Sequence, residues 1–182
     1  MKFTDSHYFT LLLIFAVIVI AAFGLFSLLS GGLNKSGNIL GQKHKVGTYQ
    51  IESDQQVSVS IPFTMRFNVD TKGKAVNAVG LYVNFDPNMI EIINLETAQS
   101  FCQFYPENKF SNSEGTISIG CGAPNPGFTG KNTIAVVKFY PKNLGETIIK
   151  VLPKSQILLN DGKGTDIFSG PIEHKITILN SI

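Results

Sequence analysis

Val57-Ser58-Val59-Ser60-Ile61-Pro62-Phe63-Thr64-Met65-Arg66-Phe67-Asn68-Val69 is the longest alternating run in the chain's C-terminal part. Every odd position is apolar and every even position is polar or proline. Successive side chains of a strand point to opposite faces, so the alternation predicts one long strand with one buried face. A helix would scatter the same residues around its circumference. One wet face is the signature of an antiparallel sheet. Pro62 cannot donate to a ladder, so the strand is expected to sit at an edge, to bulge, or to pass from one sheet to another there.

Working outward, the first 45 residues are of a different kind. Tyr8 to Leu29 is 22 residues without a charge. A helix of that length covers about 33 Å, enough for a hydrocarbon core of about 30 Å. The run is longer than the apolar part of a cleaved signal peptide. Residues 8–29 are therefore read as an uncleaved transmembrane helix contacting the lipid bilayer, with residues 1–7 as its flank. Residues 30–45 carry four glycines and no period. They read as a flexible linker with a reach of about 20–24 Å. Lys35, Lys43 and Lys45 outnumber Lys2, which Asp5 offsets, so the positive-inside rule does not favour an external domain. The C-terminal domain is nonetheless placed outside the cytoplasm of a single-pass membrane protein. A glycine-rich spacer after an anchor commonly displays an exported domain, and Cys102 and Cys121 are placed as a pair could be.

Residues 46–182 are enough to fold without a cofactor. Strand and turn signals recur with no convincing amphipathic helix. Strands are expected at 46–52, 57–69, 79–85, 89–95, 101–105, 116–121, 132–141, 147–152, 156–159 and 172–179. The segment 132–141 is apolar on both faces, as a strand covered on both sides would be. This pattern predicts an all-β, antiparallel sandwich of jelly-roll type with about nine strands. The formal charge is nearly balanced at +2, with no basic patch beyond the short Lys35–Lys45 stretch, and nucleic acid is not expected as a partner.

Val57-Ser58-Val59-Ser60-Ile61-Pro62 resembles the opening strand of cohesin domains. Val79 to Ile93, with Phe85-Asp86-Pro87 at its centre, is similar to their most characteristic run. Ile134–Tyr140 resembles their buried "apolar-x-F" strand, and Asn160 to Asp166 a late glycine turn of some cohesin-like domains. The resemblance spans roughly residues 46–179. It implies a nine-stranded jelly-roll sandwich of the superfamily shared with cellulose-binding modules, and no catalysis. It also implies a receptor role, since cohesins hold dockerin-bearing enzymes. In dockerin-binding cohesins the outward row before the Asp-Pro turn carries polar contact residues. The matching row here is Ala78, Gly80, Tyr82 and Asn84, and its first two positions offer no polar group.

His7, His44 and His174 have no second ligand at metal spacing, so no metal site is expected. No Gly-x-Ser-x-Gly elbow accompanies them, and no acid–base pair stands out among 13 carboxylates. No catalytic residue is assigned. Asp161 and Asp166 flank a loop that invites a calcium reading, but Lys163 occupies a ligand position and no closing Glu follows. A tight glycine turn without cofactor is expected instead. A Cys102–Cys121 bridge would close about 20 residues and add roughly 3 kcal/mol. Tyr105 is the aromatic best suited to a sugar platform, because its hydroxyl tolerates water. The expected function is non-catalytic binding of a protein partner at Ala78, Gly80, Tyr82 and Asn84. Binding of a polysaccharide and a structural role in an envelope assembly are the alternatives.

Overall fold

The long alternating stretch breaks at Ser60-Ile61-Pro62. A computed structural model describes residues 45–180 of the chain. In it β1 (Thr48–Glu52), β2 (Gln56–Ser58) and β3 (Phe63–Asp70) replace the two strands expected there. Ser60 adopts a φ of 64° and the Ile61 amide donates to the Ser58 carbonyl at 3.2 Å. That turn carries the chain out of one sheet and into the other, one of the outcomes foreseen for Pro62. Two corrections follow. The stretch is two strands, and Ile61, read as core-facing, is 53% exposed because it lies on the crossing. Met65, Phe67 and Val69 are fully buried as the alternation requires.

The chain continues through β4 (Val76–Asn84), β5 (Ile90–Glu96), β6 (Phe104–Ser111) and β7 (Thr116–Gly122). It ends with β8 (Lys131–Pro141), β9 (Gly145–Val151), β10 (Gln156–Leu159) and β11 (Ile172–Leu179). One sheet has the order β1-β3-β8-β5. The seven-stranded sheet has the order β2-β11-β9-β4-β7-β6, with β10 also pairing β4. The inner rows of the two sheets form one core, including Phe67, Phe139, Leu81, Ile119 and Ile149. Pairing is antiparallel except between β2 and β11, which run parallel. The chain enters β2 at that edge from β1 and leaves it through the crossing at Ser60.

Two further expectations are corrected. The strand placed at 101–105 begins at Phe104 and runs on to Ser111. Pro106 lies within it, because an edge strand pairs on one side only, and a register shift between Phe104 and Glu107 accommodates the proline. The apolar run in β8 is not a strand covered on both faces. Phe67 opposes Ala135 and Asn68 opposes Thr133, so Ile134 is the extra residue of a bulge. Ile134 and Ala135 are therefore both buried while Lys138 faces water. The proposed anchor at 8–29 and the linker as far as residue 44 lie outside the described residues. No helix among the described residues is long and apolar enough to cross a membrane.

Side chains close the places where backbone pairing stops. Asn112 accepts the Ile92 amide at 2.8 Å and donates to the Ile92 carbonyl at 2.9 Å, as a neighbouring strand would. The Tyr49 hydroxyl lies between the carbonyls of Gly80 and Gln156 at 3.1 and 2.8 Å. Its burial pushes the phenol well above the ordinary tyrosine range, so it remains a donor. Lys45 pairs with Asp166 at 3.3 Å where the chain joins the sandwich.

Candidate functional site

Alternation along β4 sends Val79, Leu81 and Val83 into the core, which leaves Ala78, Gly80, Tyr82 and Asn84 on the outer face. The register of β7 sets Gly122, Gly120, Ser118 and Thr116 beside them in that order. On β6, Phe104 opposes Gly122, Glu107 opposes Gly120 and Lys109 opposes Ser118. The row proposed from the sequence therefore crosses the middle of the seven-stranded sheet. Its small residues have a physical use: they let larger neighbours lie down on the sheet. A Cβ at Gly122 would stand 2.5 Å from Phe104 Cζ, and one at Gly80 would stand 3.3 Å from Tyr82 Cε2.

Tyr82 sits where the ladder on its other side is interrupted. β9 pairs with β4 as far as Val83 and β10 resumes at Gly80. Between them runs Leu152-Pro153-Lys154-Ser155, in which the proline has no amide to give. The buried Ser155 hydroxyl takes the place of a strand residue: its Oγ accepts the Tyr82 amide at 3.1 Å and lies 3.3 Å from the Tyr82 carbonyl. The Leu152 amide donates to that carbonyl at 2.8 Å. The excursion lifts Lys154 out of the sheet and sets its ammonium 4.5 Å from the centre of the Tyr82 ring. A cation over a tyrosine face is attracted by the ring quadrupole, worth about 0.5–1 kcal/mol at an exposed site.

On the other side the Tyr82 hydroxyl donates to Glu107 at 3.2 Å, and Lys109 pairs with Glu107 at 3.0 Å. Partial desolvation, then the Glu107 carboxylate, push the Tyr82 phenol up. The hydrogen bond from Lys109 holds the Glu107 carboxyl below the usual range. At neutral pH the phenol is therefore a fixed donor and the carboxylate a fixed charge. Tyr82, Asn84, Ser118, Thr116, Lys154 and Phe110 line an open groove of about 690 Å³. Such a surface offers hydrogen-bond donors, acceptors and charge to a partner.

The other candidates lie elsewhere. Tyr105 is half-buried and its hydroxyl donates to the Thr97 carbonyl at 3.2 Å, so its polar tip is turned to the protein. Cys102 and Cys121 are bonded, joining the segment before β6 to the inner row of β7. Asp166 accepts the amides of Ile157 and Phe168, each at 3.0 Å, and Asp161 accepts the Lys163 amide. Both serve turns of the backbone. Ser53 Oγ is 3.0 Å from His174 Nε2. No group of three His, Cys, Asp or Glu that could hold a metal occurs among the described residues. Sequence reasoning named Tyr82 and Asn84 but missed Lys154, Glu107 and Lys109. Pro153 inside an apolar segment signals the excursion that lifts Lys154; nothing in the local pattern signals the reach of Glu107 across from β6.

No family model matches the chain, and no curated protein matches it. Solved structures do. The cohesin module of a family 33 glycoside hydrolase from Clostridium perfringens superposes with a TM-score of 0.60 at 13% identity, covering 75% of this chain and 98% of that one. A cohesin of Clostridium acetobutylicum gives 0.60 at 15% identity, with 77% and 95% covered. The sixth cohesin of scaffoldin B from Acetivibrio cellulolyticus, solved in complex with a dockerin, gives 0.58 at 11% identity, with 72% and 99% covered. At these identities the likeness shows the fold: the domain is a cohesin-like β-sandwich.

Proposed function

We propose that this cohesin-like sandwich is a non-catalytic protein-binding module. It docks its partner in the groove around Tyr82 and is displayed from a membrane by residues 8–29. The observation that carries the reading is the ordering of Tyr82 in an otherwise open sheet face. Its backbone is held by Ser155, its ring by Lys154 and its hydroxyl by Glu107. A side chain already fixed in place loses little entropy when a partner covers it. Cohesins of Acetivibrio cellulolyticus and R. flavefaciens were solved in complex with dockerins, which supports a protein as the partner class. The uncharged run at 8–29 supports the anchor.

The test is capture by the tagged domain 46–182 from the proteins of its native source, repeated with Tyr82→Ala and with Lys138→Ala on the opposite sheet. The expected outcome is one partner lost with the first substitution and kept with the second. Equal capture by both variants removes the groove from the account. A second reading, polysaccharide binding, is favoured by one observation: Phe104 lies over Gly122 and is 51% exposed, as a stacking ring would be. A glycan array that stays blank with the soluble domain removes it.

A further inference from the structure

Among the described residues, the outer face of the seven-stranded sheet neutralises three of its lysines. Lys109 pairs with Glu107 at 3.0 Å, Lys150 with Glu173 at 2.8 Å and Lys175 with Glu146 at 2.5 Å. Lys154 has no carboxylate in ion-pair range among those residues; what holds it is the Tyr82 ring. An ammonium has three donors, and a ring face occupies only one side of it. The neighbours supply only part of its countercharge. Ala78 and Gly80 bear no charge, and the one nearby carboxylate, Glu107, is in direct contact with Lys109 and the Tyr82 hydroxyl and feels Lys154 only at longer range, so two ammoniums share one anion. Glu114, on the turn between β6 and β7, lines the groove beyond Thr116 and forms no ion pair among the described residues. The groove thus has an excess of positive charge at one end, where Lys109 and Lys154 face the single carboxylate of Glu107, and the carboxylate of Glu114 towards the other.

We infer that the groove takes a protein segment bearing a carboxylate, an Asp or Glu side chain seated on Lys154 beside the Tyr82 ring. This rests on the protein-binding reading and names the chemistry of the partner. Charge complementarity selects the occupant. An acidic residue gains at the Lys154 end and is repelled at the Glu114 end, which sets one orientation of the segment in the groove. Ser118 and Thr116, between the two ends, each donate or accept and suit a polar main chain.

The experiment is selection of peptides from a random display library on the domain 46–182, with parallel selections on Lys154→Glu and Tyr82→Ala. Lys154 is exposed, so the charge reversal leaves the fold intact; unchanged thermal unfolding verifies this. The expected result is enrichment of Asp or Glu in the peptides held by the unaltered domain. Their Kd should weaken by roughly tenfold or more on Lys154→Glu and with rising salt. The reversed domain should select Lys or Arg instead. Peptides that need Tyr82 but bind Lys154→Glu within twofold overturn the carboxylate and leave the groove. Peptides indifferent to Tyr82→Ala overturn the groove itself. A library that yields no binder, or tighter binding of oligogalacturonate than of any peptide, overturns the protein segment as occupant.

Discussion

Asn112 closes the open edge of β5 with a side chain. Its amide presents the same donor and acceptor as a peptide unit and meets both polar groups of the buried Ile92. Asn112→Ala would leave those groups without a protein partner, at a cost of about 1–3 kcal/mol. Urea unfolding should show a lower midpoint with an unchanged slope. Asp70 is a second case where one residue holds a corner. It is buried at the end of β3, accepts the Lys72 amide at 2.9 Å and pairs with the Lys72 ammonium at 2.7 Å. That ammonium holds its carboxyl below the ordinary value of 3.8. A carboxylate with a depressed folded value contributes stability above its unfolded value and loses it as pH falls through the folded one. Asp70→Asn should therefore cost about 1.5 kcal/mol at pH 6 and much less at pH 2. Urea titrations of both proteins at the two pH values measure the gap; a gap that stays constant refutes the linkage.

The disulfide acts on an element, not on a residue. The chain leaves β5 in one sheet, crosses to the other, and starts β6 at the far edge. Cys102 ties that crossing to β7, Phe101 stacks on Phe128 at 4.5 Å, and the Phe101 amide reaches Asn132 at 2.8 Å. β6 itself pairs only with β7. Replacing both cysteines by alanine should cost roughly 3 kcal/mol from the freed 20-residue loop. Amide exchange should rise first in Phe104–Ser111; uniform loss of protection across all strands would contradict this order. The same elements show what a sequence can and cannot reveal. β4, β7 and β11 bury one face each and were legible from alternation alone. β6 was not, because an edge strand need not alternate and can hold a proline. The bulge at Ile134 was not, because one added residue looks like a second buried face. The site divides in the same way. Tyr82 and Asn84 follow from the period of β4, whereas Glu107 and Lys109 reach them through a sheet order that local pattern does not encode.

At the scale of the whole molecule, the two readings of topology pull against each other. The lysines after residue 29 argue for a cytoplasmic domain, and the bonded cysteines argue for an oxidising compartment. The disulfide is the stronger argument. A cytosolic thiol pool would reduce a structural bridge or keep it from forming, whereas the positive-inside rule is a bias that other signals override. We therefore expect the full chain to resist carbonate extraction from membranes while 46–182 alone stays soluble, since the charge-free run lies wholly before residue 30. We also expect intact cells, quenched in acid and treated with a thiol-reactive polymer, to show no labelled Cys102 or Cys121 until a reductant is added. Thiols that label without reductant would place the sandwich in the cytoplasm. The groove around Tyr82 would then be exposed to a different set of proteins, although its geometry would be unchanged.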